Sequence, residues 1–154
     1  MTSKILYIFT PIENISPFDV TIAADAGYKT ILPFTNMKST QVAGMVQDAI
    51  FARPPKQFND TGIFISGRDV HLAADMFQLA KKSMVGDFQV GIFADPNGAY
   101  TTSASVVSLI EKALLQTYGS GLKGRKIAVF GAGPVGLSTA VLAAQQGADT
   151  RICK

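Results

Sequence analysis

The sequence predicts an α/β fold in which a parallel β-sheet has helices on both faces. Short apolar runs typical of strands alternate with helix-like segments, and this strand–helix pair recurs four times before Gly119. The run GIFIS at residues 62–66 lacks the polar alternation of a half-exposed strand. Continuous apolar strands separated by helices are typical of parallel sheets, because helices cover both faces of such a sheet.

Composition and charge narrow the class of protein. With 47% hydrophobic and 16% charged residues, the 154-residue chain is typical of a folded globular protein. The net charge is only +3 and the 14 basic residues are scattered, so we expect no nucleic-acid partner. Pro11 and Glu13 interrupt the apolar N-terminal run, so we expect neither a signal peptide nor membrane association. The single Cys153 cannot form an internal disulfide, which favours a reducing, cytoplasmic location.

The first predicted strand–helix pair opens the chain. KILYIFT at residues 4–10 has strand character, and Pro11 ends it. Ser16 followed by Pro17 predicts a helix N-terminus, because serine can cap the helix and proline needs no N–H at the first helical position. We expect this short helix to end near Ala24.

The second pair contains a proline that restricts the position of its strand. KTILPF at residues 29–34 is apolar, but Pro33 has no backbone N–H. Pro33 therefore limits this run to an edge strand or to the strand's end. Ser39 or Thr40 is expected to cap the helix that follows over residues 41–51.

The third and fourth strands are GIFIS at residues 62–66 and FQVGIFA at residues 88–94. We expect a helix over residues 69–84 between them and a long helix over residues 101–118 after them. One face of the first of these helices is apolar at Val70, Ala73, Ala74, Phe77 and Ala80.

Three glycines after the long helix mark the predicted domain boundary. Gly119, Gly121 and Gly124 lie close together, and glycine-rich segments carry few packing contacts. We therefore expect an N-terminal α/β domain at residues 1–120. The start of a second domain is expected at residues 121–154.

The second domain begins with a glycine-rich turn between a strand and a helix. KIAVF at residues 126–130 is the strand, and the three glycines of GAGPVG follow the pattern G-x-G-x-x-G. In that pattern the first glycine allows the tight turn, the second lets backbone approach a diphosphate, and the third lets the helix pack on the strand. The unpaired N–H groups of the helix then face the phosphates. The predicted dinucleotide-binding residues are Gly131, Gly133, Pro134, Val135 and Gly136.

The glycine turn has two interpretations. It indicates the first part of a dinucleotide-binding Rossmann domain, or it serves only tight packing between a strand and a helix. A complete domain of this kind needs several further strands, so we expect the chain to contain an incomplete Rossmann βαβ unit and to be a fragment of a larger protein.

Basic residues near the end of the second strand bear on the nicotinamide cofactor. NAD-binding domains usually place an acid about 20 residues after the first glycine, where it binds the ribose 2′-hydroxyl. Here Arg151 and Lys154 occupy that region and no acid does. These side chains favour the 2′-phosphate of NADP, or they are exposed charges without a ligand.

Four segments together resemble one enzyme family. They are SPFDVTIAADAG, GIFISGRD, ADPNGAYTTSAS and KIAVFGAGPVGLSTAVLAAQQGA, in this order along the chain. They resemble the NADP-dependent methylene-tetrahydromethanopterin dehydrogenases of one-carbon metabolism. The resemblance extends along essentially the whole chain and corresponds to about the first half of such an enzyme.

The resemblance implies a reaction and its partners. It implies hydride transfer from methylene-tetrahydromethanopterin, or from methylene-tetrahydrofolate, to NADP, with no metal or flavin. Loss of hydride leaves positive charge on the methenyl product, so a nearby carboxylate would stabilise the transition state. A cleft between two domains would hold the two ring systems face to face.

The resemblance also implies which residues line the pterin site. Asp19 of SPFD is the expected catalytic and substrate-binding carboxylate, although it can also serve only the dipole of its helix. Asp25 is an alternative in the same segment. Asn97 and Thr102, which follow the fourth strand, are expected to bind the carrier, although turn formation also explains Asn97.

One loop departs from the family pattern. The resemblance implies a turn with more glycines after GIFIS, but the chain has Ser66, Gly67, Arg68 and Asp69 there. Arg68 is therefore expected to alter the loop or the carrier preference.

Two functions of different classes remain open at this point, whereas the motifs before the glycine turn argue against a third, an unrelated Rossmann oxidoreductase. The first is the dehydrogenase, of which this chain is an inactive fragment. The second is a non-catalytic module that binds a pterin or serves assembly. In both, the unpaired edge of an incomplete sheet predicts a homo-oligomer.

Overall fold

The structure is a computed structural model that describes residues 3–153. Within this range the chain alternates strands and helices throughout, as predicted. The elements are β1 Ile5–Phe9, α1 Pro17–Asp25, β2 Thr30–Phe34, α2 Ser39–Phe51, β3 Thr61–Ile65, α3 Val70–Lys82, β4 Gly91–Ala94, α4 Ala99–Tyr118, β5 Lys126–Phe130, α5 Pro134–Gln145 and β6 Asp149–Cys153.

The first four strands form one parallel sheet in the order β2-β1-β3-β4. In this register Ile8 of β1 lies opposite Pro33 of β2 on one side and Phe64 of β3 on the other. The prediction that Pro33 restricts its strand to an edge is confirmed. An edge strand tolerates proline because its outer side donates no ladder hydrogen bond.

Helices cover both faces of this sheet. Crossovers between parallel strands are right-handed, and β1 to β2 runs in the opposite direction from β2 to β3, so α1 and α2 lie on opposite faces. Ala23 of α1 packs against Leu6 and Ile8 on its face. On the other face α2 packs on α3. The predicted α/β architecture is confirmed.

The chain divides into two compact units, Met1–Pro96 and Asn97–Lys154. This division lies one helix before the predicted boundary near residue 120, because α4 packs on α5 and belongs to the second unit. The expectation that the segment of three glycines has few packing contacts is wrong. Leu122 in that segment is 1% exposed and packs with Val107 and Ala143.

Several element ends differ from the prediction for local reasons. The N-cap of α2 is Lys38, whose N–H donates to Oε1 of Gln41 at 2.8 Å, and not Ser39 or Thr40. The fourth strand begins at Gly91 and not at residue 88, because Val85 and Phe88 form an isolated antiparallel bridge before it.

The second unit contains the two-stranded parallel sheet of β5 and β6, with α5 between these strands in the sequence. Pro134 is the first residue of α5, as expected for a residue without an N–H. None of the helices in residues 3–153 combines the length and the apolar character that a bilayer crossing requires.

Candidate functional site

The carboxyl ends of β1 and β3 define the expected position of a ligand in the first unit. From β1 the chain passes through α1 to β2 on one side, and it then returns past β1 to β3 on the other. The helices that follow β1 and β2 lie on opposite faces of the sheet, so the strand order reverses at this point. Ligands of open parallel sheets bind at the carboxyl ends of strands beside such a switch point.

Asp19 lies in the first turn of α1, which begins at this edge of the sheet. Ser16 caps the helix, with its Oγ accepting the Phe18 N–H at 3.3 Å. The Asp19 side chain is 5% exposed, and its Oδ2 accepts a hydrogen bond from Oγ of Ser66. The predicted catalytic carboxylate is thus buried and paired with a residue from the end of β3.

Ser66 is held by the backbone of the sheet. Its N–H donates to the carbonyl of Phe9 at 3.0 Å, which continues the pairing of β3 with β1 by one residue. Gly67 then turns the chain away with φ of +130°, and a Cβ at Gly67 would stand 3.1 Å from Cδ of Pro11. Glycine is favoured here because it adopts a positive φ without strain and because the absence of a Cβ lets Pro11 approach closely.

The surroundings of Asp19 change its proton affinity. Burial raises the pKa of Asp19 above its ordinary value of 3.8, because the charged form loses solvation. The hydrogen bond from Ser66 lowers this pKa, and the charge of Asp95 raises it further. The net direction of the pKa shift is upward, and the hydrogen bond from Ser66 opposes it by stabilising the ionised carboxylate.

A second buried hydroxyl lies at the end of β1. Thr10 is 0% exposed, and its Oγ1 has no hydrogen-bond partner among residues 3–153. The position of a Cβ on Gly67 lies 3.9 Å from that oxygen. Thr10 therefore borders the same turn as Ser66, although no sequence motif distinguished it.

Asp25, the predicted alternative to Asp19, and Asp95 differ in position and burial. Asp25 is exposed at the last residue of α1, and six residues of helix separate it from Asp19 by about 9 Å along the axis. Asp95 is 8% exposed directly after β4, and its N–H donates to the carbonyl of Ile65 at 3.1 Å. Of the two predicted alternatives, Asp19 is buried and Asp25 is exposed, and the role of either carboxylate stays a prediction.

Asn97 and Thr102 lie at the beginning of the second unit. Asn97 has φ of +54°, and Gly98 follows it with φ of +67° immediately before α4. Thr102 is exposed in the first turn of α4. A positive φ is sterically unfavourable for most residues, and asparagine tolerates it. Asn97 therefore forms part of the turn before α4. Binding of a carrier by Asn97 and Thr102 stays a prediction.

The glycine turn follows β5 and has one closed side and one open side. A Cβ at Gly136 would overlap the carbonyl oxygen of Gly131 and would stand 3.1 Å from its carbon. Gly131 has φ of +104°, and the N–H of Gly131 donates to the carbonyl of Cys153 at 2.8 Å. At Gly133 nothing lies within 4 Å of a Cβ. Gly136 thus permits close packing, and Gly133 leaves backbone accessible from outside.

These positions fit a dinucleotide diphosphate. Gly133 caps α5 with its carbonyl, which accepts the Leu137 N–H at 2.9 Å. Because Pro134 has no N–H, the N–H groups at the start of α5 that lack an intrahelical acceptor include those of Val135 and Gly136. They point outward at the positive end of the helix dipole, beside the open side of Gly133.

Ser103 positions the start of α5 and was not identified from the sequence. It is 0% exposed in α4, and its Oγ donates to the carbonyl of Val135 at 3.0 Å. The sequence signal at this position is a short run of small residues, TTSAS, before the larger apolar residues of the same helix.

Arg151 lies in the interior of β6. It is exposed and pairs in register with Ala128, two residues before the strand ends at Cys153. Lys154, the other predicted basic residue, lies outside the described residues. Within residues 3–153, no three His, Cys, Asp or Glu side chains converge as ligands of a metal ion would.

Comparisons with known proteins agree with the resemblance in the sequence. A family model described as "Methylene-tetrahydromethanopterin dehydrogenase, N-terminal" matches residues 17–97. The NAD(P)-dependent methylenetetrahydromethanopterin dehydrogenase of Methylorubrum extorquens is 44% identical over 151 residues, which cover 97% of this chain and 51% of that protein. The bifunctional protein MdtA of the same organism is 35% identical over 130 residues, which cover 84% of this chain and 44% of that protein.

The chain spans about half the length of these curated relatives. Among solved structures, the NAD+-bound 3-phosphoglycerate dehydrogenase of Entamoeba histolytica aligns with 99% of this chain and 54% of its own, at 14% identity and a TM-score of 0.31. A likeness this low carries no argument about function. The family model covers more than half of the sequence, and the chain therefore belongs to the methylene-tetrahydromethanopterin dehydrogenase family.

Proposed function

We propose that this chain supplies the pterin-binding domain and the beginning of the nucleotide-binding domain of an oxidoreductase of one-carbon metabolism. The reaction is hydride transfer from methylene-tetrahydromethanopterin, or from methylene-tetrahydrofolate, to NADP. The observation that carries the proposal is the buried carboxylate of Asp19 at the switch point between β1 and β3, held by Ser66.

The chemistry of the substrate explains the need for this carboxylate. When hydride leaves the methylene carbon, positive charge develops on that carbon and on its two nitrogen neighbours. A carboxylate about 5 Å away, at an effective dielectric constant of about 20, would stabilise this charge by about 3 kcal/mol. The neutral starting material gains no such energy. Asp19 therefore favours the transition state and the methenyl product over the substrate.

The second unit would bind the nicotinamide cofactor. A bound nicotinamide would accept the hydride. The N–H groups of Val135 and Gly136 and the open side of Gly133 would hold the diphosphate. Because β6 has no acid after Asp149, and Arg151 and Lys154 are basic, we propose NADP in preference to NAD.

We also propose that Asn97 and Thr102, before and in the first turn of α4, bind the carrier. We also propose a homo-oligomer located in the cytoplasm. Support for association comes from β5, where Phe130 is 84% exposed, and from β6, where Ile152 is 41% exposed.

The test compares the affinities of the neutral and cationic carriers. Calorimetry with methylene- and methenyl-tetrahydromethanopterin should show that the wild-type chain binds the methenyl cation more tightly, by about tenfold or more. Asp19→Asn keeps the size and the hydrogen-bond acceptor but removes the charge, so this preference should disappear. Asp25→Asn, at the far end of α1, is the matched control and should keep it.

A preference that survives in Asp19→Asn would overturn the assigned role of Asp19. Equal binding of the two carriers by the wild type would instead favour the second candidate, a non-catalytic pterin-binding or assembly module. The same measurements with methylene- and methenyl-tetrahydrofolate identify which carrier the site prefers.

A further inference from the structure

The hydroxyl of Ser66 has few alternatives to its contact with Asp19. Ser66 is 1% exposed, so its hydroxyl is shielded from bulk water. Its backbone is fixed by the N–H bond to Phe9 on one side and by the turn at Gly67 on the other. With the backbone fixed, the Oγ donates to Oδ2 of Asp19, 47 residues earlier in the chain.

The protein holds one of the two carboxylate oxygens of Asp19. Oδ2 accepts from Ser66, whereas no protein donor to Oδ1 is found among residues 3–153. The Asp side chain rotates about its χ1 and χ2 bonds, so the carboxylate has no fixed orientation unless one of its oxygens is held. Fixing Oδ2 thus leaves Oδ1 in a defined direction for a ligand.

We propose that Ser66 is a positioning residue that keeps the carboxylate of Asp19 ionised and in one orientation. This role deepens the proposed function, because a protonated Asp19 could not stabilise a cationic product. The hydrogen bond itself, however, is a property of the protein without ligand, so it can be tested separately from the proposed reaction.

The charge balance at Asp19 shows why one hydroxyl matters. Burial and the charge of Asp95 both favour the protonated form of Asp19, and the Ser66 hydroxyl is the group that opposes them. A hydrogen bond from a hydroxyl to a carboxyl group is stronger when the carboxyl group is ionised. Loss of the Ser66 hydroxyl should therefore raise the pKa of Asp19, and loss of the Asp95 charge should lower it.

The first experiment is a carboxyl ¹³C NMR titration of the ligand-free chain. The Asp19 signal is assigned by its disappearance in Asp19→Asn. We expect its midpoint to move to higher pH in Ser66→Ala and to lower pH in Asp95→Asn. Ser103→Ala removes another buried, hydrogen-bonded serine hydroxyl in the second unit and should leave the midpoint unchanged. An unchanged midpoint in Ser66→Ala would overturn the proposal.

The second experiment separates ionisation from simple packing. A buried charge left without its donor destabilises the fold only where Asp19 is ionised, whereas a small cavity destabilises it at every pH. We expect Ser66→Ala to lower the melting temperature by about 4–8 °C near pH 8 and by clearly less near pH 4. In an Asp19→Asn background this pH dependence should vanish. An equal loss at both pH values would assign Ser66 a packing role and refute the proposal.

Failure of this inference and failure of the proposed function give different results. If Ser66→Ala changes the titration but the wild type binds methylene and methenyl carriers equally, the Ser66 role stands and the dehydrogenase proposal falls. If the wild type prefers the methenyl carrier but the Asp19 titration is unchanged in Ser66→Ala, the dehydrogenase proposal stands and the role of Ser66 falls.

Discussion

Replacing Gly136 and Gly133 separately with alanine tests how the glycine turn works. At Gly136 the new Cβ would overlap the carbonyl oxygen of Gly131, and both atoms belong to backbone that a rotamer change cannot move. Overpacking of this kind costs about 1–3 kcal/mol. At Gly133 the φ is −74° and nothing lies within 4 Å of the new atom, so the fold should accept alanine.

The two variants share one effect that cancels in the comparison. Each alanine reduces the freedom of the unfolded chain by a similar amount, worth about 0.4–1 kcal/mol in favour of the fold. The difference between the variants therefore isolates the clash at Gly136. For a chain of this length we expect Gly136→Ala to melt about 3–10 °C below Gly133→Ala.

Dinucleotide affinity should respond in a different way from stability. Alanine at Gly133 places a methyl group on the side from which a diphosphate would approach. We expect calorimetry with NADP+ to show at least about tenfold weaker binding, while the melting temperature stays at or above that of the wild type.

Two results would refute this reasoning. Equal melting temperatures for the variants would mean that the approach of Gly136 to Gly131 does not restrain the turn. Unchanged NADP+ affinity in Gly133→Ala would mean that the diphosphate does not pass the open side, and the turn would then serve packing alone.

Three further predictions follow from the same contacts. The melting temperature of Asp19→Asn relative to the wild type should rise as the pH increases from near 4 to near 8. The reason is that the pKa of Asp19 is raised above 3.8 in the folded state, so ionisation of Asp19 destabilises the wild-type fold as the pH rises. A difference in melting temperature that does not depend on pH would contradict this. Leu122→Ala should lower the free energy of unfolding, measured in urea, by about 2–4 kcal/mol, because the Leu122 side chain is 1% exposed and packs with Val107 and Ala143. A loss below about 0.5 kcal/mol would mean that the segment of three glycines is loosely packed. Sedimentation of the wild-type chain at high concentration should show a dimer, and Phe130→Lys should shift it toward monomer; a wild-type monomer would refute the predicted association.

The sequence predicts best those features that depend on neighbouring residues. The bounds of β5, Lys126–Phe130, match the prediction, because an apolar run ends there at a glycine. Pro134 begins α5, and Pro33 lies in an edge strand, because a missing N–H has the same consequence in every fold. In each case the deciding interaction lies within a few residues.

Features that depend on distant residues could not be predicted in this way. Ser66 and Asp19 are 47 positions apart, and only the order of strands in the sheet brings β3 beside the start of α1. The same limit explains the domain division. The glycines after α4 predicted a boundary, but the packing of Leu122 under that helix depends on α5, which comes later in the chain.

The two predicted sites are built in the same physical way, although the ligands proposed for them differ. In the second unit Ser103 holds the Val135 carbonyl at 3.0 Å and Gly136 packs on Gly131, so contacts on the inner side fix the start of α5. In the first unit the inner contact is the Ser66 hydroxyl on Asp19. In each unit, buried hydroxyls and glycines thus hold the backbone and side-chain atoms that we expect to face a ligand. Such preorganisation reduces the entropy that binding must overcome, so we expect mutations of these inner contacts to weaken ligand binding although they touch no ligand.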